Sequence, residues 1–571
     1  MNPLLLIVIT IVGYLVAYRL YGRFLGKKIF RLDALRKVPA VEFEDGVDYV
    51  PTRKSVIFGH HYTSIAGTGP IVGPAIAIIW GWLPAVLWII FGSIFLGAVH
   101  DLGALVISLR NQGVSISEVT GKYISPTARI LFFIIVFIEL WIFIAVLALV
   151  IAIIFMLFPA SVIPVWSEVL LALILGYAVY KKGGNLTLWS IFIIILMYFT
   201  IILGVQYPIS LTGSEAIPVT GIWAIILLIY AFIASILPVN KLLQPRDYIN
   251  SHELFIVMIL MVFGAILLSF NPDFKMVAPA VNHQVSDTPS FIPFLFITIA
   301  CGAISGFHSL VSSGTTSRQI SSEKDALWVG YGSMLMEGFL AILVIVAVGA
   351  GIGLGFKSAD SGMLHGAAAW QSHYASWSAA SGLTSKLNAF VVGSANMING
   401  LGIPHSWALA IMGVFVASFA GTSLDSATRI QRYVISEFFK SSNSRALQNR
   451  YFTTALAVIT AGLLAFATGA DGKGALKLWP LFGAVNQTLA ALTLIVITNY
   501  LKTEHTRKWW LLTAIPALFM CLITFWATVE NELSFIETGN WMLAIINVVI
   551  IILVVLIFVM GLKRFLKTTG S

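Results

Sequence analysis

Residues 55–80, SVIFGHHYTSIAGTGPIVGPAIAIIW, are apolar enough and numerous enough to cross a lipid bilayer, which takes about 20 residues. Unlike a regular membrane helix, the stretch carries Ala66-Gly67-Thr68-Gly69-Pro70 in its middle and Gly73-Pro74 soon after. Glycine and proline together free backbone N–H and C=O groups that lipid cannot hydrogen-bond, so such backbone persists only inside protein or along a polar cavity. The stretch therefore predicts two half-helices that meet at a binding site.

The composition places the rest of the chain in the membrane as well. Of the 571 residues, 58% are hydrophobic and only 10% are charged, with a mean hydropathy of +0.93; soluble proteins carry about 25% charged residues. The net charge of +9 comes from basic loops and does not indicate a nucleic-acid partner. Cys301 and Cys521 lie in apolar segments, and no nucleotide-binding, hydrolase or metalloprotease motif occurs. We therefore expect no enzyme activity, no cofactor and no metal site.

The apolar segments predict an all-α polytopic membrane protein with about 15 transmembrane helices. Residues 1–54 would form an N-terminal helix and a basic cytoplasmic loop, 55–425 a ten-helix transport core, and 426–571 a cytoplasmic loop and four peripheral helices. Residues 357–400 fit no span, and we expect a surface or re-entrant hairpin there. The predicted spans are 3–20, 55–80, 84–109, 129–158, 167–180, 187–205, 219–239, 252–270, 291–316, 326–356, 404–423, 450–470, 478–500, 509–528 and 541–562.

The basic residues predict the orientation of the chain in a cell membrane. With the N-terminus outside, alternate loops and span ends on the cytoplasmic side take 29 of the 34 Lys and Arg residues. Cytoplasmic loops carry such an excess of positive charge. We therefore expect the N-terminus outside and the C-terminus in the cytoplasm.

The seventh predicted span contains a second interruption, Ser235-Ile236-Leu237-Pro238-Val239-Asn240-Lys241, after which the chain continues as LLQPRDYINS. It lies five spans after the first interruption, and an odd offset gives the two spans opposite orientations. An inverted repeat of five plus five helices, each beginning with a discontinuous helix, would produce this pattern. Two unrelated helices kinked by proline are the alternative.

The two interruptions supply the candidate substrate-binding residues. Ala66, Gly67, Thr68 and Gly69 would bring the backbone of a half-helix close to a ligand, and a helix N-terminus attracts a carboxylate. Ser235, Asn240 and Lys241 would face them from the second interruption. Close helix packing by small residues, and a positive-inside role for Lys241, are the structural alternatives.

Ionisable residues within the spans are the candidates for proton coupling, because buried charges in membranes are costly and mark ion or proton routes. His60 and His61 are adjacent, so they point about 100° apart on a helix and cannot share one metal ion from the same face. Asp101 and Glu139 lie in the third and fourth spans, and Glu337 lies in the tenth. The alternative is that each of these side chains makes a structural hydrogen bond and has no part in proton coupling.

A stripe of hydroxyl groups lies within the ninth predicted span, along one face of the predicted helix. Ser305, Ser309, Ser312 and Thr316 recur at helical spacing and could ligate Na⁺. The same small residues also suit a close-packing face. The coupling ion, H⁺ or Na⁺, is therefore left open.

Six segments of the chain are distinctive: FGHHYTSIAGTGPIVGP, AVHDLGALVISLR, ASILPVNKLLQPRDYIN, CGAISGFHSLVSSGTTSRQ, AGTSLDSATR and LFGAVNQTLAAL. They closely resemble segments of the carbon starvation protein A family. The resemblance implies a bacterial or archaeal inner-membrane protein linked to peptide uptake during carbon starvation, a stress response; some members are pyruvate transporters driven by proton symport. It also implies the five-plus-five core of the amino acid–polyamine–organocation superfamily, to which the LeuT-like transporters belong.

We expect a secondary active transporter that imports a small carboxylate nutrient, pyruvate or a short peptide, by symport with alternating access. Its partners would be the substrate, the coupling ion and the lipid bilayer. A nutrient receptor associated with a sensor system, which the basic loop at 19–54 could contact, is one alternative. A channel is the other, although the scattered carboxylates form no repeated charged ring.

Overall fold

The computed structural model describes residues 2–567 except 283, 284, 286, 359–361, 440–447 and 505–507. It is mostly helical, as expected, and twelve of its helices are long and apolar enough to span a membrane. The helices are Pro3–Ile29 (α1), Lys54–Ala66 (α2), Gly69–Trp80 (α3), Trp82–Leu109 (α4), Ile116–Tyr123 (α5), Pro126–Leu157 (α6), Pro159–Lys181 (α7), Leu186–Gln206 (α8), Val219–Ile236 (α9), Leu243–Leu268 (α10), Phe291–Thr298 (α11), Gly306–Gly314 (α12), Glu323–Leu354 (α13), Gly366–Tyr374 (α14), Trp377–Ser381 (α15), Leu383–Asn399 (α16), His405–Phe438 (α17), Arg450–Ala465 (α18), Gly474–Glu504 (α19), Lys508–Glu537 (α20) and Trp541–Lys567 (α21). A single turn at Pro39–Glu42 and an antiparallel hairpin, Phe356–Ser358 (β1) with Gly362–Leu364 (β2), complete the described elements.

The first predicted interruption is confirmed. The helices α2 and α3 form one span that is bent by 40° at its break. Gly67 has φ 4° and ψ −141°, which is outside the helical region, and Pro70 lies in the first turn of α3, where no N–H is needed. We call this pair the first broken span.

The second interruption lies elsewhere, so the prediction that Ser235–Lys241 divides one discontinuous helix is wrong. Helix α9 ends at Ile236, and LLQPRDYINS belongs to α10, a continuous helix of 26 residues. Pro238 follows the helix end, and Pro245 occupies the first turn of α10, where proline is tolerated. These residues therefore mark a turn between two spans.

The helix predicted over 291–316 is the one that is divided. Helix α11 ends at Thr298, the chain runs through Ile299–Ser305 without forming a helix, and α12 begins at Gly306. We call α11 and α12 the second broken span. It and the short helix α18 are apolar but fall below the length of a continuous span, so the total of about 15 spans stays a prediction.

Residues 357–400 do not form the expected surface or re-entrant hairpin. The short hairpin β1–β2 is followed by α14, α15 and the 17-residue helix α16. Helix α16 packs against α3, α13 and α17, and its Lys386 is fully buried. The Lys386 side chain makes an internal contact, its Nζ donating to the His373 carbonyl at 2.9 Å.

Residues 47–52 form a strap along the ends of three helices. The backbone of Val50 donates to the Arg318 carbonyl at 3.2 Å, that of Thr52 to the Gln319 carbonyl at 2.9 Å, and Val239 donates to Val47 at 3.0 Å. The N-terminal loop is thus packed onto the helical core. The domain boundary expected at 425/426 falls inside the continuous helix α17.

Asp48 fastens this strap to α17. Its Oδ1 accepts hydrogen bonds from Arg429 Nη1 at 3.0 Å, Arg432 Nη2 at 2.9 Å and the Tyr433 hydroxyl at 2.7 Å. Burial by itself raises the pKa of the Asp48 carboxyl, but the Arg432 and Arg429 guanidinium groups outweigh it and lower that pKa from 3.8 to about 2.

We expect Asp48→Asn to lower the free energy of unfolding by about 2 kcal/mol at pH 7, because it removes the anion that this pKa shift reports. A lowered pKa stabilises the fold above the unfolded value, so the difference between variant and wild type should vanish as the pH falls from about 4 to about 2. Denaturant unfolding in detergent at several pH values would measure it. The same change at the exposed Asp273 should have no effect, and equal effects at both positions would contradict the prediction.

Candidate functional site

The two broken spans meet at their breaks. A Cβ atom added to Gly69 would lie 2.6 Å from Cys301 Cβ, and one added to Gly73 would overlap the Thr298 carbonyl oxygen. Only glycine at these positions lets the two backbones approach so closely. The non-helical residues of both spans are therefore adjacent in the interior of the protein.

A cavity of about 670 Å³ lies against the two breaks. Gly69, Gly73, Ala300 and Cys301 line it where the broken spans meet. Aromatic and other apolar side chains from α11, α15, α19 and α20 form much of the remaining wall, together with polar residues of the last helices. Those wall residues include Phe294, Trp377, Trp479, Phe482, Phe535, Glu530, Asn531 and Ser534.

The two helix N-termini at the breaks differ in how they are capped. Asn486 of α19 accepts hydrogen bonds from the Phe307 N–H at 2.9 Å and the Ser305 hydroxyl at 3.1 Å, so the start of α12 is satisfied. The start of α3 has no side-chain cap, and its first residue, Gly69, lines the cavity. Because the first N–H groups of a helix lack partners within the helix, this end is available to an anion.

The candidate substrate-binding residues fall into two separate groups. Ala66, Gly67, Thr68 and Gly69 lie at the first break, as expected, and Gly67 packs against Ser423 of α17. The other three are elsewhere: the Ser235 hydroxyl lies 3.5 Å from that of Thr454, and the Asn240 and Lys241 carbonyls pack on Gly176. The Lys241 side chain is exposed. The contacts of the second group are thus made with Thr454 and Gly176 and not with the residues of the first break, so a shared substrate site for the two groups stays a prediction.

Asp101 lies in a buried cluster with His308 and Glu337. Asp101 accepts hydrogen bonds from His100 Nδ1 at 2.8 Å and from His308 Nδ1 at 3.0 Å. On the other edge of the imidazole, His308 Nε2 lies 3.2 Å from Glu337 Oε2. All four side chains are fully buried. We call Asp101, His308 and Glu337 the carboxylate–histidine cluster.

Sequence reasoning named Asp101 and Glu337 among the carboxylates inside spans but did not place His308 between them. The same criterion applies to His308, since it is also an ionisable residue within an apolar segment. Which of the many such residues meet depended on the break in the ninth span, which turns α12 so that His308 lies between α4 and α13.

The other proton-coupling candidates make no hydrogen bond to the members of this cluster. His60 Nδ1 lies 2.5 Å from Asp247 Oδ2, while His61 Nδ1 lies 2.8 Å from the Thr316 hydroxyl, so the two rings have different partners as their spacing predicts. Glu139 is fully buried in α6, and neither of its oxygens makes a hydrogen bond to a described residue.

The hydroxyl stripe does not converge on one point. Ser305 bonds Asn486, Ser309 bonds the Gly306 carbonyl and the Thr493 hydroxyl, and Thr316 bonds His61. Ser305 and Thr316 flank α12 at its opposite ends, roughly 15 Å apart along a helix axis. The Ser312 hydroxyl has no partner within the described part of the chain.

Among the described residues, one group has the spacing of a metal site. The ligand atoms of Cys301, His308 and Glu337 lie within 4.8 Å of one another. His308 Nε2 and Glu337 Oε2 lie 3.2 Å apart, within ion-pair distance, although the two groups are not aligned for a hydrogen bond.

A second buried charge network surrounds Arg246. Its Nε donates to Glu168 at 3.0 Å and its Nη1 donates to Asp425 at 2.7 Å and to the Tyr230 hydroxyl at 2.6 Å. The network joins α7, α9, α10 and α17. Arginine's rigid fork of donors suits this role.

The comparisons with known proteins agree with this architecture. The model of the family described as carbon starvation protein CstA matches residues 2–527. The chain belongs to the CstA family. It is 33% identical to the pyruvate/proton symporter BtsT of Escherichia coli K12, over 92% of this chain and 81% of that protein. It is 31% identical to the peptide transporter CstA of Bacillus subtilis 168, over 99% and 97% of the two chains. Like its relatives, this CstA-family protein is a membrane transporter and not an enzyme.

Solved structures show the same fold at low sequence identity. A manganese transporter from Eremococcus coleocola, solved as a point mutant, aligns with a TM-score of 0.51 over 92% of this chain and 99% of that one, at 11% identity. The likeness places the CstA-family chain in the fold of that transporter.

Proposed function

We propose that this protein is a secondary active transporter that imports pyruvate or a short peptide by proton symport with alternating access. One observation carries the proposal: the uncapped N-terminus of α3 borders a cavity of about 670 Å³ at the point where two broken spans meet. Broken helices that meet beside a cavity are the usual substrate sites of secondary transporters.

The substrate carboxylate is proposed to bind the first backbone N–H groups of α3, at Thr68 and Gly69. The apolar and aromatic wall then accommodates the rest of the molecule, and the cavity lies in the usual size range of small-molecule sites, about 300–1,000 Å³. Pyruvate would leave much of this volume to water, whereas a dipeptide would fill more of it. Glu530, which also lines the cavity, offers a partner for a peptide's amino group.

The proposed core is a LeuT-like inverted repeat of ten helices, assembled differently from the sequence prediction. Each half begins with a broken span, and equivalent helices pack on one another: α4 on α13, α6 on α17, and α9 on α18, while α2 packs on α10 as α12 packs on α19. The first half is α2–α3, α4, α6, α9 and α10, and the second half is α11–α12, α13, α17, α18 and α19. Helices α7 and α8 are then an insertion, and transport consists of rocking between the bundle of broken spans and the remaining core.

Proton coupling is favoured over Na⁺ coupling because ionisable side chains, and not converging hydroxyl groups, lie beside the breaks. The positive-inside distribution of Lys and Arg places the N-terminus outside and the C-terminus in the cytoplasm of a cell membrane. In that orientation the cavity opens to the outside.

We expect purified protein in liposomes to accumulate ¹⁴C-pyruvate or ¹⁴C-dialanine when the lumen is made more alkaline than the bath, and not when a Na⁺ gradient replaces the pH gradient. Initial uptake would be measured with and without a proton ionophore, and alanine would serve as a third test solute. Downhill flux without accumulation would instead favour a channel. Saturable binding without flux would favour a receptor associated with a sensor system.

A further inference from the structure

The carboxylate–histidine cluster lies one side chain away from the proposed carboxylate site. Cys301 contacts Gly69 on one side, at the floor of the cavity, and its thiol interacts with His308 on the other. A bound carboxylate at the N-terminus of α3 would therefore be close to His308, separated from it by the Cys301 thiol in a water-poor interior. Charges in such surroundings interact more strongly than in water.

His308 is positioned to hold a proton that can be exchanged. Asp101 accepts from Nδ1, which fixes the ring orientation, and Nε2 lies 3.2 Å from Glu337 Oε2 without the alignment of a hydrogen bond. Neither oxygen of the Glu337 carboxylate makes a hydrogen bond to a described residue. Neutral His308 therefore has an acceptor nitrogen facing a carboxylate with unused hydrogen-bonding capacity, and one added proton would bridge the two groups.

The cluster also joins the elements that must move. Asp101 lies on α4, His308 on the second half of the second broken span, and Glu337 on α13. These helices belong to the bundle that is proposed to rock. Other titratable groups near the cluster are His100, which bonds Asp101; His61, which lies close enough to interact with Asp101 and His308; and Tyr14 and Tyr62, which lie near Glu337.

We propose that this cluster is the proton carrier and that the proton is held between His308 Nε2 and Glu337 while the substrate carboxylate occupies the N-terminus of α3. The inference rests on the proposed function. One proton enters from the cavity and binds His308 Nε2, making an imidazolium between two carboxylates; on the cytoplasmic side the same proton is released and the neutral ring is restored. The positive ring and the anionic substrate stabilise each other's binding, and this coupling is reciprocal.

Binding measurements at several pH values test the proposal separately from transport. In wild-type protein, the dissociation constant for pyruvate or dialanine should rise as the pH rises, by about 5–150-fold in total, the usual range of coupling between two sites. His308→Asn and Glu337→Gln should leave binding measurable but remove this pH dependence. In liposomes both variants should lose accumulation driven by a pH gradient and keep exchange of labelled for unlabelled substrate, which needs no net proton movement.

Glu253→Gln is the matched control, because it makes the same chemical change at a fully buried carboxyl of α10 that has no ion-pair partner among the described residues. It should keep both the pH dependence and the accumulation. Retained pH dependence and accumulation in His308→Asn and Glu337→Gln would overturn the proposal, as would a wild-type accumulation that a metal chelator abolishes. Absence of exchange in the wild type would instead refute the proposed function, and with it this inference.

Discussion

Gly73→Ala is expected to abolish substrate uptake while leaving a protein that still inserts in the membrane. The added methyl group would overlap the Thr298 carbonyl oxygen and lie 3.4 Å from Ile299 Cα, so the obstacle is backbone and cannot rotate away. Overpacking a tight contact costs about 1–3 kcal/mol. Here that cost would separate α3 from the end of α11 and distort the proposed binding site. Uptake and exchange assays, with the amount of inserted protein measured in parallel, would show the loss.

Gly69→Ala gives a companion test, because its obstacle is the Cys301 side chain. Replacing Cys301 by glycine removes that side chain and leaves only the Cα of residue 301, at 4.0 Å. The double variant Gly69→Ala/Cys301→Gly should therefore recover uptake that Gly69→Ala loses, whereas Cys301→Gly should not rescue Gly73→Ala. Gly13→Ala is the control, since a Cβ there meets no atom within 4 Å. Uptake in Gly73→Ala equal to that in Gly13→Ala would show that the two breaks do not meet.

Arg246→Gln is expected to lower the free energy of unfolding by about 3–5 kcal/mol, the usual cost of removing one partner of a buried ion pair. This loss is larger than the one expected for Asp48→Asn. Glutamine would leave the fully buried Glu168 and the almost fully buried Asp425 without their cation. Because these residues join four helices, the variant should unfold at a markedly lower temperature in detergent and yield less inserted protein. A fluorescence-detected thermal unfolding assay would measure the difference.

A second substitution separates the charge effect from the loss of packing. Adding Glu168→Gln to Arg246→Gln removes one of the uncompensated carboxylates, so the double variant should be more stable than Arg246→Gln alone. Arg23→Gln makes the same exchange at an exposed position and should change little. If Arg246→Gln and Arg23→Gln unfold at the same temperature, the buried network does not stabilise the fold.

The first broken span could be predicted from sequence because its cause is local. Gly67 and Pro70 interrupt the helix wherever the chain is placed, and the apolar residues on either side require a membrane. The same reasoning failed at Pro238 and Pro245, since proline also ends and starts helices. It missed the second broken span because 291–316 contains only one proline, Pro293, near its start, and small residues such as Gly302 also suit continuous helices.

The sequence indicated only some of the residues that lie at the cavity and the buried cluster. The glycine-rich backbone of α3 lies at the cavity, where its sequence indicated, whereas Ser235, Asn240 and Lys241 lie elsewhere. Asp101 was selected as an ionisable residue inside a span, but so were Glu139 and both histidines of the first broken span. Nothing in the sequence distinguishes a carboxylate that meets a histidine from one that does not.

The sequence by itself determined that this chain is a polytopic membrane protein with a helix opened at Gly67–Pro70. Those properties follow from hydropathy and backbone chemistry, which act over a few residues, whereas the CstA family was indicated by the resemblance of whole segments. Tertiary structure alone decided which second span is broken, that the two breaks touch at Gly69 and Cys301, and that His308 lies between Asp101 and Glu337. The contact between Gly69 and Cys301 joins residues about 230 positions apart, and that between Asp101 and His308 joins residues 207 apart. They depend on how helices from both halves of the chain pack, which no local pattern encodes.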